Sequence, residues 1–200
     1  MVGDGLDRAF HVPGRPLLMP NPWDAGTAKL LASLGFQALV TTSGGHAATL
    51  GRLDGALEPG EALEHAATIV AAVDVPVSAD LEDGFAEDPD AVFATVADAV
   101  GMGLAGCSIE DFNDHAIYEP KRTAERVTAA VDGARTGAGP VLTARAENYL
   151  RGNPDLADTI ARLQAALTRA GRELLEDGIY GYLADAAEGR RHAATAFSAR

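Results

Sequence analysis

The sequence predicts an α/β fold of the parallel (β/α)-barrel type, with about five parallel strands followed by C-terminal helices. Three observations carry this expectation. Short apolar runs alternate with helical stretches, the rhythm of βαβ units in a parallel sheet. Four of those runs end in polar or charged residues: Leu39–Thr42 runs into Ser43-Gly44-Gly45-His46, Val75–Ala79 into Asp80-Leu81-Glu82-Asp83, Gly106–Ile109 into Glu110-Asp111, and Pro140–Ala144 into Arg145-Ala146-Glu147. In a parallel barrel all strand C-termini meet at one face, and that face holds the active site. The rhythm then stops, because no β-rich run follows Val141-Leu142, so the barrel reads as incomplete.

The elements follow in order. Leu17-Leu18-Met19, ending in Pro20-Asn21-Pro22, reads as a first strand. Asp24 can cap a helix over about Ala25–Leu34, whose Ala28, Leu30, Leu31 and Leu34 share a stripe before Gly35 stops it. Phe36–Thr42 is the second strand, and the Gly-rich, polar stretch Ser43–Pro59 reads as a loop. Gly60–Val73 reads as a helix, Val75–Ala79 as the third strand, and Asp90–Val100 as a helix opened by Asp88-Pro89. Gly106–Ile109 is the fourth strand, Tyr118–Pro120 leads into a helix ending near Ala134, and Pro140–Ala144 is the fifth strand. Asp155–Ala170 is helical, within a helical stretch from Ala157 to Ala187 broken near Gly178. No linker or low-complexity tract divides the chain, so residues 1–200 read as one domain.

Composition bounds the function. The chain has 200 residues, 47% of them hydrophobic, which suits one globular core but is short for a full eight-unit barrel of about 250 residues. Its net charge of −13 argues against a nucleic-acid partner, which needs a basic footprint. The same charge repels small anions at long range, so an anionic substrate needs a local cation, either a metal or a buried Arg. Cys107 is the only cysteine and falls in a strand, which reads as a buried, inert thiol with no disulfide partner. The N-terminus lacks a signal-peptide pattern and no apolar run is long enough to span a membrane, so the expected compartment is the cytoplasm.

The chemistry-bearing residues sit at the strand ends. Asp80 and Glu82 are two apart and on a strand share a side, and Glu110 lies one strand further on. Together they read either as oxygen ligands for a hard cation such as Mg²⁺ or as solvated loop acids and caps for the helix near Asp88. Arg145, with Glu147 two residues on, reads as a two-point holder of a carboxylate or as half of an internal ion pair. Ser43-Gly44-Gly45 can present backbone amides to an oxyanion or form a plain turn. Asp54 lies in the loop Gly51–Gly55, a place where catalytic groups often stand. His46 and His115 are near strand ends, and His65 reads as a surface helix residue. Gly101-Met102-Gly103-Leu104-Ala105-Gly106 matches a dinucleotide fingerprint by letter, but it ends a helix and precedes a strand, so it reads as a helix C-cap.

Several of these segments together resemble the isocitrate lyase/phosphoenolpyruvate mutase superfamily. They are Leu18–Gly26 (LMPNPWDAG), Thr42–Gly45 (TSGG), Ser78–Phe85 (SADLEDGF), Ile109–Asp111 (IED) and Thr143–Glu147 (TARAE), in order over about residues 10 to 165. The resemblance implies a TIM-type (β/α)8 barrel, Mg²⁺ (or Mn²⁺), and cleavage of a C–C or P–C bond in a small anionic α-oxycarboxylate through an enolate. It implies Asp80 as direct metal ligand, Glu82 and Glu110 as further metal-holding carboxylates, and Ser43 and Gly44, with Gly45 beside them, as substrate cradle. It implies Arg145 as the cation facing substrate and enolate, and Asp54 as the acid beside the reacting bond. It also implies a homo-oligomer.

Two departures stand out. The stretch Asp111–Pro120 lacks the Lys-Lys-Cys-Gly-His loop of the isocitrate and methylisocitrate lyases, which places the chain closer to the uncharacterised branch. The last three strand–helix units are missing before a terminal helical segment, residues 165–190. A catalytically silent paralogue, acting as an oligomeric or binding module, is the alternative reading.

Overall fold

The computed structural model describes residues 17–113, 115–137, 140–170 and 197–199. The expected helical stretch beyond residue 170, and the N-terminal 16 residues, lie outside them.

The chain runs α1 (Ala25–Ser33), β1 (Leu39–Val40), α2 (Ser43–Thr49), α3 (Pro59–Val70), β2 (Val77–Asp80), α4 (Pro89–Gly101), β3 (Gly106–Glu110), α5 (Pro120–Ala134), β4 (Val141–Arg145), α6 (Leu156–Ala170) and β5 (Phe197–Ala199). The sheet order is β1-β2-β3-β4-β5. The first four strands are parallel, and β5 pairs antiparallel on β4. This is an α/β fold with a four-stranded parallel sheet. Its core is aliphatic and small: Leu39, Ile69, Val77, Ala79, Val92, Val96, Ile109, Val131 and Leu142 are all buried between sheet and helices. Buried strands of a parallel sheet read as continuous apolar runs, as these do.

Helix ends obey local chemistry. Asp24 caps α1 with its carboxylate on the Thr27 amide, and the Thr27 hydroxyl returns to the Asp24 amide. Pro89 opens α4 behind the Asp88 cap, and Pro120 opens α5. The glycine-rich stretch after α4 is a helix exit: Met102 is the C-cap and Gly103 has φ 88, a left-handed turn.

Three elements differ from the sequence expectation. Leu17–Met19 forms no ladder; the chain meets β1 just beyond it, through the Val40 amide on Pro20 O at 3.2 Å, where Pro20 and Pro22 have no N–H to extend the pairing. Leu17 and Met19 still pack on Ala38 and Val141, joining the start of β1 to the start of β4. Ser43–Thr49 is a helix rather than the start of a loop. Two glycines hide it from propensity, but Thr42 caps it by accepting from the Gly45 amide, and its own Ala47 is fully buried. Finally, β5 occupies the free edge of β4, where no strand was expected.

Candidate active site

Strand register sets the geometry. Parallel pairing places Asp80 beside Ser108, and Glu110 beside Arg145. The C-terminal ends of β2, β3 and β4 therefore deliver two acids and one cation to a single mouth. Arg145 is the hub. Its Nη1 stands 3.1 Å from Asp80 Oδ1 and 3.2 Å from Glu110 Oε2, and its Nη2 stands 2.7 Å from Glu147 Oε1. Burial opposes its charge, but Asp80, Glu110 and Glu147 outweigh it and hold the guanidinium above its ordinary value.

Asp80 is held from several sides. Its Oδ2 accepts from the Ser43 amide at 3.2 Å and the Ser43 hydroxyl at 3.1 Å, and its Oδ1 accepts from Ser108 Oγ at 3.4 Å. Its own amide donates to Thr41 Oγ1 at 3.0 Å, which locks the end of β2 to the end of β1. The Ser43 hydroxyl also lies 3.3 Å from Asp54 Oδ1, bringing in the loop after α2. Gly44 makes that approach possible, since a Cβ there would sit 3.0 Å from Asp54 Oδ1.

Glu82 does not lie on the strand. It follows Leu81 in the left-handed region, φ 48, as does Phe85 at φ 56. Non-glycine residues adopt that conformation at a cost, and it persists where surroundings enforce it. Here Glu82 O accepts from the Glu110 amide at 2.8 Å, and the Gly84 amide donates to Leu81 O at 2.7 Å. The buried Arg126 of α5 donates to Asp83 O, Ala86 O and Asp83 Oδ2, and Tyr118 OH donates to Asp83 Oδ2 at 2.8 Å. Tyr118 is pushed up to about 12 by burial and by that hydrogen bond.

The mouth encloses a cavity of about 320 Å³, within the usual range for a small-ligand site. Ser43, Gly44, Asp54, Asp80, Glu82, Glu110 and Arg145, all singled out in the sequence, line it. Gly45 is placed differently. Its amide serves the Thr42 cap, and a Cβ there would lie 2.5 Å from Thr42 Cγ2 and 2.8 Å from Trp23 Nε1, so it is a packing glycine. His46 stacks on His65 at 3.8 Å between ring centroids, away from the lining, and His115 is exposed. Arg151 and Leu150 line the cavity without having been anticipated. Arg151 could have been found as a second cation six residues past Arg145.

Burial pushes Glu110 up to about 8; Arg145 works against that shift, while Glu147 and Asp80 reinforce it. Asp111, buried beside it, accepts from the Glu147 amide at 2.8 Å and pairs with Arg162 of α6 at 3.3 Å. The donors Asp80, Glu82 and Glu110 are all oxygens, the type that hard divalent cations take. Among the described residues no three His, Cys, Asp or Glu side chains stand together as a ready cage. What suits a cation such as Mg²⁺, which uses one or two carboxylates and keeps several waters, is the oxygen chemistry of the donors and not a preformed cage.

Comparison with known proteins agrees with this architecture. The phosphoenolpyruvate phosphomutase family profile matches residues 7–175. The 2,3-dimethylmalate lyase of Eubacterium barkeri is 33% identical over 165 residues, 82% of this chain and 54% of that protein. An uncharacterised protein of Mycobacterium tuberculosis is 32% identical over 154 residues, 76% of this chain and 57% of that one. The chain thus spans a little over half the length of these curated relatives. A Burkholderia cenocepacia crystal structure, assigned only by class as a lyase/mutase, is 49% identical with a TM-score of 0.78, covering 82% of this chain and 60% of that one. An oxaloacetate acetylhydrolase bound to oxalate is 26% identical with a TM-score of 0.71, covering 88% of this chain and 63% of that one.

Proposed function

The chain belongs to the phosphoenolpyruvate phosphomutase family, and on that footing we propose that it is a Mg²⁺-dependent lyase or hydrolase that cleaves a C–C or P–C bond in a small α-oxycarboxylate. The observation that supports this most is the meeting of Asp80, Glu110 and Glu147 on the Arg145 guanidinium at the ends of three adjacent strands. Asp80, Glu82 and Glu110 would hold Mg²⁺ or Mn²⁺. When bound, the cation supplies Lewis-acid stabilisation of oxygen charge as the bond breaks.

The chain's own residues do the rest. Arg145 lines the cavity and is held in place by Asp80, Glu110 and Glu147, so in this reading it needs no reorganisation to act. It stabilises the negative charge that develops when a bond next to a carbonyl is cleaved. Ser43 and Gly44, in the first turn of α2, border the substrate's carboxylate end. Asp54 stands beside the Ser43 hydroxyl, and in this reading it exchanges a proton with the reacting carbon. Homo-oligomerisation and a cytoplasmic location belong to the same proposal. No described helix is long and apolar enough to cross a membrane.

The test is thermal unfolding with and without millimolar Mg²⁺, joined to a turnover screen of oxaloacetate, 2-methylisocitrate, 2,3-dimethylmalate and phosphonopyruvate. Mg²⁺ raises the melting temperature of the wild type and leaves Asp80→Ala unchanged. A wild-type protein indifferent to Mg²⁺ and inert on all four compounds overturns the proposal.

A further inference from the structure

The cavity holds two guanidiniums in very different states. Every carboxylate contact of Arg145 is at 3.2 Å or less. Arg151 is not engaged in that way. Its Nε is 3.8 Å from Glu147 Oε2 and its Nη2 is 3.9 Å from Glu110 Oε1, both too long for hydrogen bonds. Its side chain is 36% exposed. The group nevertheless has a defined seat, for its central carbon lies 3.7 Å from the centroid of the Phe112 ring. Stacking on one face leaves the in-plane N–H groups unblocked by the ring, and no carboxylate reaches them at hydrogen-bond distance; such an edge is what grips a carboxylate or phosphonate.

The turn that presents Arg151 is built rather than loose. The Leu150 and Arg151 amides both donate to Glu147 O, at 2.9 and 3.0 Å. Fully buried Asn148 donates to Asn153 O at 3.0 Å and Asp155 O at 3.1 Å, and accepts from Thr159 Oγ1 at 2.9 Å. This fastens the turn after β4 to the first turn of α6. Carboxylates otherwise dominate the cavity wall, so a second negative group on a ligand would meet repulsion except at Arg151.

We propose that Arg151 is a specificity-determining residue that receives a second anionic group of the substrate, so that the site selects dianionic 2-oxo acids over monoanionic ones. This rests on the lyase or hydrolase reading of the same cavity. Arg145 faces the reacting end, and Arg151 receives the distal carboxylate or phosphonate near the mouth.

The experiment is calorimetric titration of the Mg²⁺-loaded protein with two matched pairs, 2-oxobutyrate against oxaloacetate and 2-oxopentanoate against 2-oxoglutarate. Within each pair only the terminal methyl and carboxylate differ. Wild type should prefer the dianion by about tenfold or more in at least one pair, the size of one charge-assisted contact. Arg151→Met should reduce that ratio to near one, with circular dichroism and the melting temperature of the variant showing that the fold is intact. Arg151→Lys should retain part of the preference. Equal wild-type affinity within both pairs, or a preference that survives Arg151→Met, overturns the inference. Failure of all four ligands to bind the wild type overturns the underlying site reading and this inference with it.

Discussion

Arg145 Nη1 lies 3.1 Å from Asp80 Oδ1, although 65 residues separate them and they sit on strands that do not pair with each other. The contact spans β3, and Ser108 and Glu110 of that strand join the cluster from the middle. One guanidinium thus reports on the alignment of three strands, and disturbing any of them disturbs the mouth.

Glu110 makes the metal-free protein pH-sensitive. Burial raises it from 4.5 to about 8, so the folded state holds its proton more tightly than the unfolded chain does. A group raised in this way lends stability that is complete below its unfolded value and is lost as pH rises through its folded value. Glu110→Gln, which never ionises, should lack that loss. Urea denaturation in chelator-treated buffer should show the wild type falling relative to the variant between about pH 4.5 and pH 8. Parallel curves across that window would contradict the assignment.

Arg126 underpins the loop that carries Glu82. Its side chain is 1% exposed and bridges the Asp83 carboxylate with the Asp83 and Ala86 carbonyls, while lying 4.2 Å from the Tyr118 ring centroid. Arg126→Met strands a carboxylate and two carbonyls and should cost about 3–5 kcal/mol. Tyr118→Phe removes one donor and should cost about 1 kcal/mol. Because both act on Asp83, their effects should be less than additive when combined, as chemical denaturation of the two single variants and the double variant can show. Independent, additive losses would mean that the two side chains do not share one carboxylate.

Gly44 and Gly45 are neighbours with opposite duties. Gly45→Ala drives a methyl to 2.5 Å from Thr42 Cγ2 and 2.8 Å from Trp23 Nε1, and should destabilise by about 1–3 kcal/mol. Gly44→Ala meets only the Asp54 side chain, at 3.0 Å, which can swing away. Its melting temperature should stay within a few degrees of wild type while turnover drops, because Asp54 leaves the Ser43 hydroxyl. A stable, fully active Gly44→Ala protein would remove Asp54 from the chemistry.

Much of this was readable in the chain. Helices α1, α3, α4, α5 and α6 fall within a few residues of where apolar periodicity places them, with Asp24, Asp88-Pro89 and Pro120 marking starts and Gly35 and the glycines after α4 marking stops. The acids of β2 and β3 and the cation of β4 could be listed as site candidates because each follows a short apolar run. The misses have local causes. The Gly44-Gly45 pair masks α2, whose support comes from Thr42 and from burial. Pro20 and Pro22 limit the pairing beside β1 to the single bond on Pro20 O. The Arg151 seat depends on Phe112, 39 positions earlier, which no window on the sequence connects to it.

By itself the sequence determined the alternation of strands and helices and the kind of chemistry at the strand ends, since both depend on residue type and short spacing. Tertiary structure alone decided which acids face Arg145, that Glu82 enters from a left-handed turn, and that Arg151 stacks on Phe112 with Glu147 and Glu110 beyond hydrogen-bond distance. Those outcomes depend on the register between parallel strands, which long-range burial selects and which a slip of one residue would turn to the opposite face.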